Sequence, residues 1–205
     1  LAQLIEEQGK ALLPLEQLAA MHLDEEKGIA TVEDAWQGAC DIVAENISDS
    51  AEVRKLLRKE LWNTGELVSE LIIDEKEAPE FLQYRDYSEP VRQLPPHRIL
   101  AMNRGEDKKA LKINLRCPDE KLIAKVAQTL NLKEQSPFYT YYHNALTDSY
   151  KRLLLPSLER ELRNELTEKA EKQAISVFAA NLRQLLLTQP ISGHTVLGLD
   201  PGYRT

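Results

Sequence analysis

The last third of the chain carries its most regular pattern. From Leu158 onward every fourth residue is apolar: Leu158, Leu162, Leu166, Ala170, Ala174, Phe178, Leu182 and Leu186. That spacing predicts a helix over about 157–187, roughly 45 Å long at ~1.5 Å per residue. Steps of four overshoot one turn by about 40°, so the apolar stripe winds around the rod. A winding stripe needs different neighbours along its length, which predicts a central helix with several modules packed around it. The intervening charges, from Glu159 and Arg160 to Glu171 and Lys172, nearly cancel and read as a solvated, salt-bridged face. Ahead of this rod, Ser136-Pro137 starts another helix whose apolar face is Phe138, Tyr141, Tyr142, Ala145, Leu146, Tyr150, Leu153 and Leu154. Pro156 predicts a kink or brief break between the two. Tyr139, Tyr141, Tyr142 and Tyr150 have the chemistry to stack bases, but their helical spacing favours core packing.

The first half reads as shorter helices with clear punctuation. Residues 1–7 are apolar at Leu1, Leu4 and Ile5 before Gly9 interrupts, and Pro14 fits the first turn of a helix running to about Met21. The stretch "TVEDAWQGACDIVAENI" opens with Thr31 and, three residues later, Asp34, a capping-box-like start. Its apolar residues Val32, Ala35, Trp36, Ala39, Cys40, Val43 and Ile47 recur at helical intervals. Asp49 and Glu52 set up a further helix through Val53, Leu56, Leu57 and Leu61, expected to continue past Gly65 to Leu67, Val68, Leu71 and Ile72.

Two strands are expected. From 111 to 117 odd positions are apolar and even positions polar, the period of a strand at about 110–116. Pro95-Pro96 starts the helix before it, and Gly105 is placed to end that helix in the left-handed region. The alternative is a hairpin between 98–102 and 110–116. The run at 195–199, leading into Asp200-Pro201-Gly202 after the breakers Gln189-Pro190 and Ser192-Gly193, is the second strand and a candidate partner for the first. A helix over about 119–130, closed by Asn131, lies between. The fold class is therefore mainly α: a multi-helix assembly with a long central helix, plus one or two short strands (about 110–116 and 195–199). The expected division is an N-terminal helical region over 1–94, a helix–strand–helix insertion over 95–135, the long helices over 136–192, and the first strand of a truncated domain over 193–205. A lone terminal strand cannot pair its backbone groups, so the chain is expected to be part of something longer.

Composition changes this picture little. Hydrophobic and charged residues make up 42% and 29% of the 205 residues, ordinary values for a globular chain, and the 8 glycines and 6% aromatics fit helices better than a turn-rich sheet. The net charge of −7 advertises no global basic field for nucleic acid. No apolar run approaches the ~18 residues of a membrane span. Cys40 and Cys117 lack metal or redox spacing and read as reduced, buried thiols. The four histidines show no metal spacing, and no cofactor motif is present.

Three local features bear on function. From Glu66 to Glu89 eight acids stand against Lys76 and Arg85, either a solvated face or a contact for a basic partner. His97-Arg98 followed by Arg104, Lys108, Lys109, Lys112 and Arg116 is a locally basic strip, either surface and helix-end charge or a phosphate contact. Asp200, at the end of the expected strand, stands where a metal-dependent nuclease would place its first Mg²⁺ ligand, but a lone Asp before Pro-Gly is more often a turn residue and the other carboxylates of two-metal chemistry are missing.

The segments "LPPHRILAMNRGE", "YKRLLLPSLERELRNEL", "AISVFAANLRQLLL" and "VLGLDPGYRT" closely resemble the bacterial Tex family of transcription accessory proteins, and "GACDIVAENISDSAEVRKLLR" fits its helical region. The resemblance covers essentially the whole chain. It implies a cytoplasmic, multi-domain protein with N-terminal helices, a long central helix, a YqgF domain of RNase H-like fold, helix-hairpin-helix modules and a C-terminal OB-fold (S1) RNA-binding domain. This chain would then be the N-terminal and central helical region, cut as YqgF begins. Asp200 matches the first-strand position of the nuclease-like fold, but such proteins are not regarded as nucleases. The expectation is a non-catalytic helical scaffold without cofactor or metal. Its parent would bind nucleic acid mainly through domains absent here and would meet the transcription machinery. Arg98, Arg104, Lys108, Lys109 and Lys112 are its local candidates for nucleic acid. The alternative is a fragment of an RNase H-like nuclease with Asp200 as metal ligand.

Overall fold

A computed structural model describes residues 1–24, 28–189, 192–200 and 202. Helix α1 (Ala2–Glu7) ends on Gln8 in the left-handed region and is followed by α2 (Leu15–Ala20). Helix α3 (Val32–Asp49) begins with the expected capping box: Asp34 N–H donates to Thr31 Oγ1 at 3.1 Å, and Thr31 N–H to the Asp34 carboxylate at 2.9 Å. That hydrogen bonding holds the Asp34 carboxyl below its ordinary pKa. Helix α4 (Ala51–Thr64) is capped by Ser50, one residue beyond the expected Asp49, which instead closes α3.

Helix α4 does not continue past Gly65. Gly65 is in an extended conformation, and a Cβ there would lie 2.4 Å from the Leu61 carbonyl oxygen. The next residues form β1 (Glu66–Leu71), the central strand of an antiparallel sheet ordered β2-β1-β3, with β2 at Asp86–Pro90 and β3 at Leu111–Arg116. Leu67 and Val68 are both buried although they point to opposite faces, so β1 shows no alternation and reads as a helix by period. Strand β3 matches its expected place, but its partner is β1, with Ile113 opposite Ser69 and Leu115 opposite Leu67. Residues 195–199 are exposed and pair with no strand among the described residues; Pro190 and Pro201, read as breaker and turn, lie outside those residues.

Helix α5 (Pro96–Asp107) excludes a hairpin at 98–102. Gly105 is inside this helix, and the left-handed residue is Lys109 (φ 55°). What Gly105 supplies is room: a Cβ would sit 2.5 Å from Leu111 Cδ1, 2.7 Å from its Cγ and 3.2 Å from Phe81 Cδ1. Helix α6 (Asp119–Thr129) gives way to Asn131 in the left-handed region, as its expected closure requires. Helix α7 (Tyr139–Asp148) passes through a π-helical turn (Ser149–Leu154) into α8 (Leu155–Leu186). The irregularity thus falls ahead of Pro156, whose ring cannot coexist with an α-helical carbonyl four residues earlier. Tyr142 and Tyr150 are buried, and Tyr141 stacks on Trp36 with ring centroids 4.2 Å apart.

Nearly all the buried apolar residues form one cluster from Ile5 to Ala170, with Ala44 and Val68 outside it. Of the α8 stripe, Leu158, Leu162, Leu166 and Ala170 lie in it, against α4 and α5. Every described residue from Glu171 to Gln189 is exposed. No helix among the described residues is long and apolar enough to cross a membrane.

Gly105→Ala is expected to lower stability by about 1–2 kcal/mol through overpacking against Leu111, whereas Gly38→Ala in α3, where a Cβ meets nothing within 4 Å, is expected to raise it by about 0.5–1 kcal/mol. Thermal unfolding of the two variants, with melting temperatures displaced in opposite directions, checks both.

Candidate nucleic-acid interface

The basic strip is built by α5, the turn after it and β3. Arg98 does not project freely: its Nη1 donates to Tyr87 Oη at 2.6 Å and to Glu89 Oε2 at 3.0 Å, with the guanidinium 5.1 Å from the Tyr87 ring centroid. It ties α5 to β2. Lys108 Nζ donates to Glu80 Oε1 at 3.0 Å and stands over Phe81. The Glu80 carboxyl is held below its ordinary pKa, first by its own backbone N–H and then by Lys108. Arg116 lies 3.9 Å from Glu66 across the sheet.

The acidic run and the basic strip are therefore partners of one another. Arg104, Lys109 and Lys112 remain exposed and have no ion-pair partner among the described residues. They do not converge. Arg104 lines a groove between α5 and α8 that also holds Glu106, Asp107, Glu159, Arg160, Arg163 and Glu171. Lys109 occupies the turn, and Lys112 is in register with Glu70 on the sheet face away from Leu111 and Ile113. Within the groove, Arg163 donates to both oxygens of Glu106, 3.1 Å for Nη1 to Oε1, and Asn103 Nδ2 donates to Thr167 Oγ1 at 2.8 Å. These contacts join α5 to α8.

A second set of cations lies on α4, where Arg54, Lys55, Arg58 and Lys59 stand against Glu52 and Glu60. Lys55, Arg58 and Lys59 share one face with Trp62, beside α8. The i, i+3, i+4, i+7 spacing of these residues is the signal that finds them.

Among the described residues Asp200 joins no cluster of metal-ligating groups. Its Oδ1 accepts the Gly202 N–H at 2.9 Å, the Asx-type turn bond of such a residue. No group of three or more His, Cys, Asp or Glu among the described residues is placed to hold a metal ion.

Near the α6 N-terminus, Asp119 Oδ1 accepts from Tyr150 Oη at 2.7 Å and from Cys117 Sγ at 3.1 Å. Burial pushes the Cys117 thiol up to about 11, with the Asp119 charge adding to it, and burial pushes Cys40 up to about 11 as well. Burial likewise raises Tyr150. These are structural, protonated groups, without the lowered pKa of a nucleophile.

Residues 11–178 match the protein family described as Tex central region-like. The chain belongs to the Tex family. It is 41% identical to the uncharacterized protein YdcI of Bacillus subtilis over 91% of the chain and 26% of that protein. It is 38% identical to the transcriptional accessory protein Tex of Neisseria gonorrhoeae over 83% of the chain and 23% of that protein. Against the human S1 RNA-binding domain-containing protein 1 it is 34% identical over 87% of the chain and 19% of that protein. This Tex-family chain thus spans about a quarter or less of the relatives it matches. The family match includes the buried cluster from Ala19 to Ala170, leaves out Ile5, and stops at Phe178, within the exposed half of α8.

A thiol whose folded pKa is raised contributes stability that is complete below its unfolded value of about 8.5 and is lost as the pH climbs toward the folded value of about 11. Unfolding free energy is expected to fall between about pH 9 and 11, and DTNB at pH 8 to label the native chain far more slowly than the urea-unfolded chain. Rapid labelling of the folded chain by DTNB would refute the assignment of both cysteines.

Proposed function

We propose that this chain is a non-catalytic helical scaffold within a longer, nucleic-acid-associated Tex protein, and that α8 is the axis on which further domains assemble. One observation carries the proposal. Ile175, Val177, Phe178, Leu185, Leu186 and Leu187 are each more than half exposed, and Arg183 is the one charged residue between Gln173 and Gln189. A helix apolar on nearly every side belongs inside a larger body. The relatives are about four times longer than the chain, which leaves ample polypeptide to surround it.

The relatives' names supply the biological class: one is a transcriptional accessory protein, another an S1 RNA-binding domain-containing protein. On this reading nucleic acid and the transcription machinery are met mainly by domains beyond this chain, in the cytoplasm. Residues 193–205 open a YqgF-like domain whose remaining strands would give 195–199 its partners. Residues 95–135 act as an insertion bound to the 1–94 region through the β1–β3 pairing.

Phe178→Asp with Leu182→Asp tests the scaffold. In the 205-residue chain both side chains are exposed, and the melting temperature is expected to move by about 1 °C or less, as for other surface changes. In the full-length protein the same pair is expected to lower it by many degrees and to open the molecule to limited proteolysis. A full-length protein that keeps its melting temperature and its compactness with both aspartates refutes the scaffold.

A further inference from the structure

Helices α4 and α8 enclose a groove of about 430 Å³ lined by three cations and two carboxylates. Its floor is apolar, formed by the buried Leu61, Leu158 and Leu162. Its walls carry Lys55, Arg58, Lys59 and Trp62 from α4, and Glu161 and Glu165 from α8. Both glutamates are already engaged. Arg58 donates to the two oxygens of Glu161, 3.2 Å for Nη2 to Oε2. Lys169 reaches Glu165 at 2.6 Å while its Nζ stands 4.6 Å from the Trp62 ring centroid. On the neighbouring side, Lys125 takes Glu60 at 2.6 Å.

That leaves Lys55 and Lys59 exposed, one helical turn apart, with no ion-pair partner among the described residues. The α5–β3 strip is different, because Arg98 and Lys108 are paired with Glu89 and Glu80 and its free cations, Arg104, Lys109 and Lys112, do not converge. A concave channel with uncommitted lysines and an aromatic wall has the composition of a single-strand binding surface, where phosphates meet the cations and a base or sugar meets the ring. An acidic peptide would use the lysines but not the indole.

We infer that the α4–α8 groove binds the backbone of single-stranded nucleic acid, with Lys55 and Lys59 on neighbouring phosphates, Arg58 beside them, and Trp62 as the apolar wall. The proposal rests on the nucleic-acid-associated reading above. Its test uses this chain alone, so its failure leaves the assembly test on Phe178 and Leu182 standing.

The experiment is a fluorescence anisotropy titration of a labelled oligouridylate of about twelve nucleotides, within the range of such sites, against the 205-residue chain at ~50 mM salt and above. Binding is expected, with a log–log salt slope near −2 for about three phosphates. Lys55→Glu with Lys59→Glu is expected to weaken it at least tenfold without changing circular dichroism or melting temperature. Lys109→Glu with Lys112→Glu is expected to weaken it less than twofold. The inference is overturned if no binding occurs, if both double variants lose affinity equally, or if poly-glutamate displaces the oligonucleotide as well as unlabelled oligouridylate does, which would assign the groove to an acidic protein.

Discussion

The buried half of α8 is the row on which α4 and α5 meet. Leu158, Leu162, Leu166 and Ala170 are the residues that α4 approaches from one side and α5 from another. Through α4 they reach α3 and α6, and through α5 they reach the sheet. A buried leucine of this kind is worth about 2–5 kcal/mol against alanine, so this row outweighs any one polar contact nearby. The polar contacts add direction. Leu115 N–H donates to Glu159 Oε1 at 3.1 Å, Asn103 bonds Thr167, and Arg163 holds Glu106, so strand, helix and rod meet in one register.

The surface charges obey a second constraint. An acidic run and a basic strip, separated along the chain, close on each other through Glu80–Lys108, Glu89–Arg98 and Glu66–Arg116. Exposed pairs of this sort contribute about 0–1 kcal/mol each, too little to drive folding. Their consequence is for recognition: cations committed inside the chain have less field to offer an external phosphate. The free cations of the α5–β3 strip, Arg104, Lys109 and Lys112, are scattered, whereas Lys55 and Lys59 share one face of α4.

Much of this was legible in the sequence, and the misses share a cause. The capping box at Thr31, the strand at 111–116 and the long rod all follow from strong local signals. Strand β1 has none. Leu67 and Val68 are buried on opposite sides, so its alternation vanishes and its apolar residues blend into the helix before it. Gly105 misleads for a related reason. A glycine near a helix end resembles a left-handed cap, but here Leu111 and Phe81 press on the helix and only a hydrogen side chain fits. Both errors come from tertiary contacts that no local window contains. The candidate cations are a parallel case: the residue types were visible, but which of them were already paired depended on strands whose pairing was not.

The winding stripe can be taken one step further. Its first four members are covered and its last four are not, although the spacing is unbroken between them. The sequence keeps the same period where the described residues offer no neighbour, which is the pattern the proposed scaffold requires. Charge supports the same conclusion. The covered half is flanked by ion pairs such as Arg58–Glu161 and Lys169–Glu165, whereas beyond Lys172 the flanks are Ser176, Asn181, Arg183 and Gln184. A solvated helix gains from charges on its outer face; one to be enclosed loses by desolvating them. On the proposed scaffold reading, the change near residue 173 from charged flanks to flanks with Arg183 as their one charge marks where α8 passes from a rod with one open side to a rod built for enclosure.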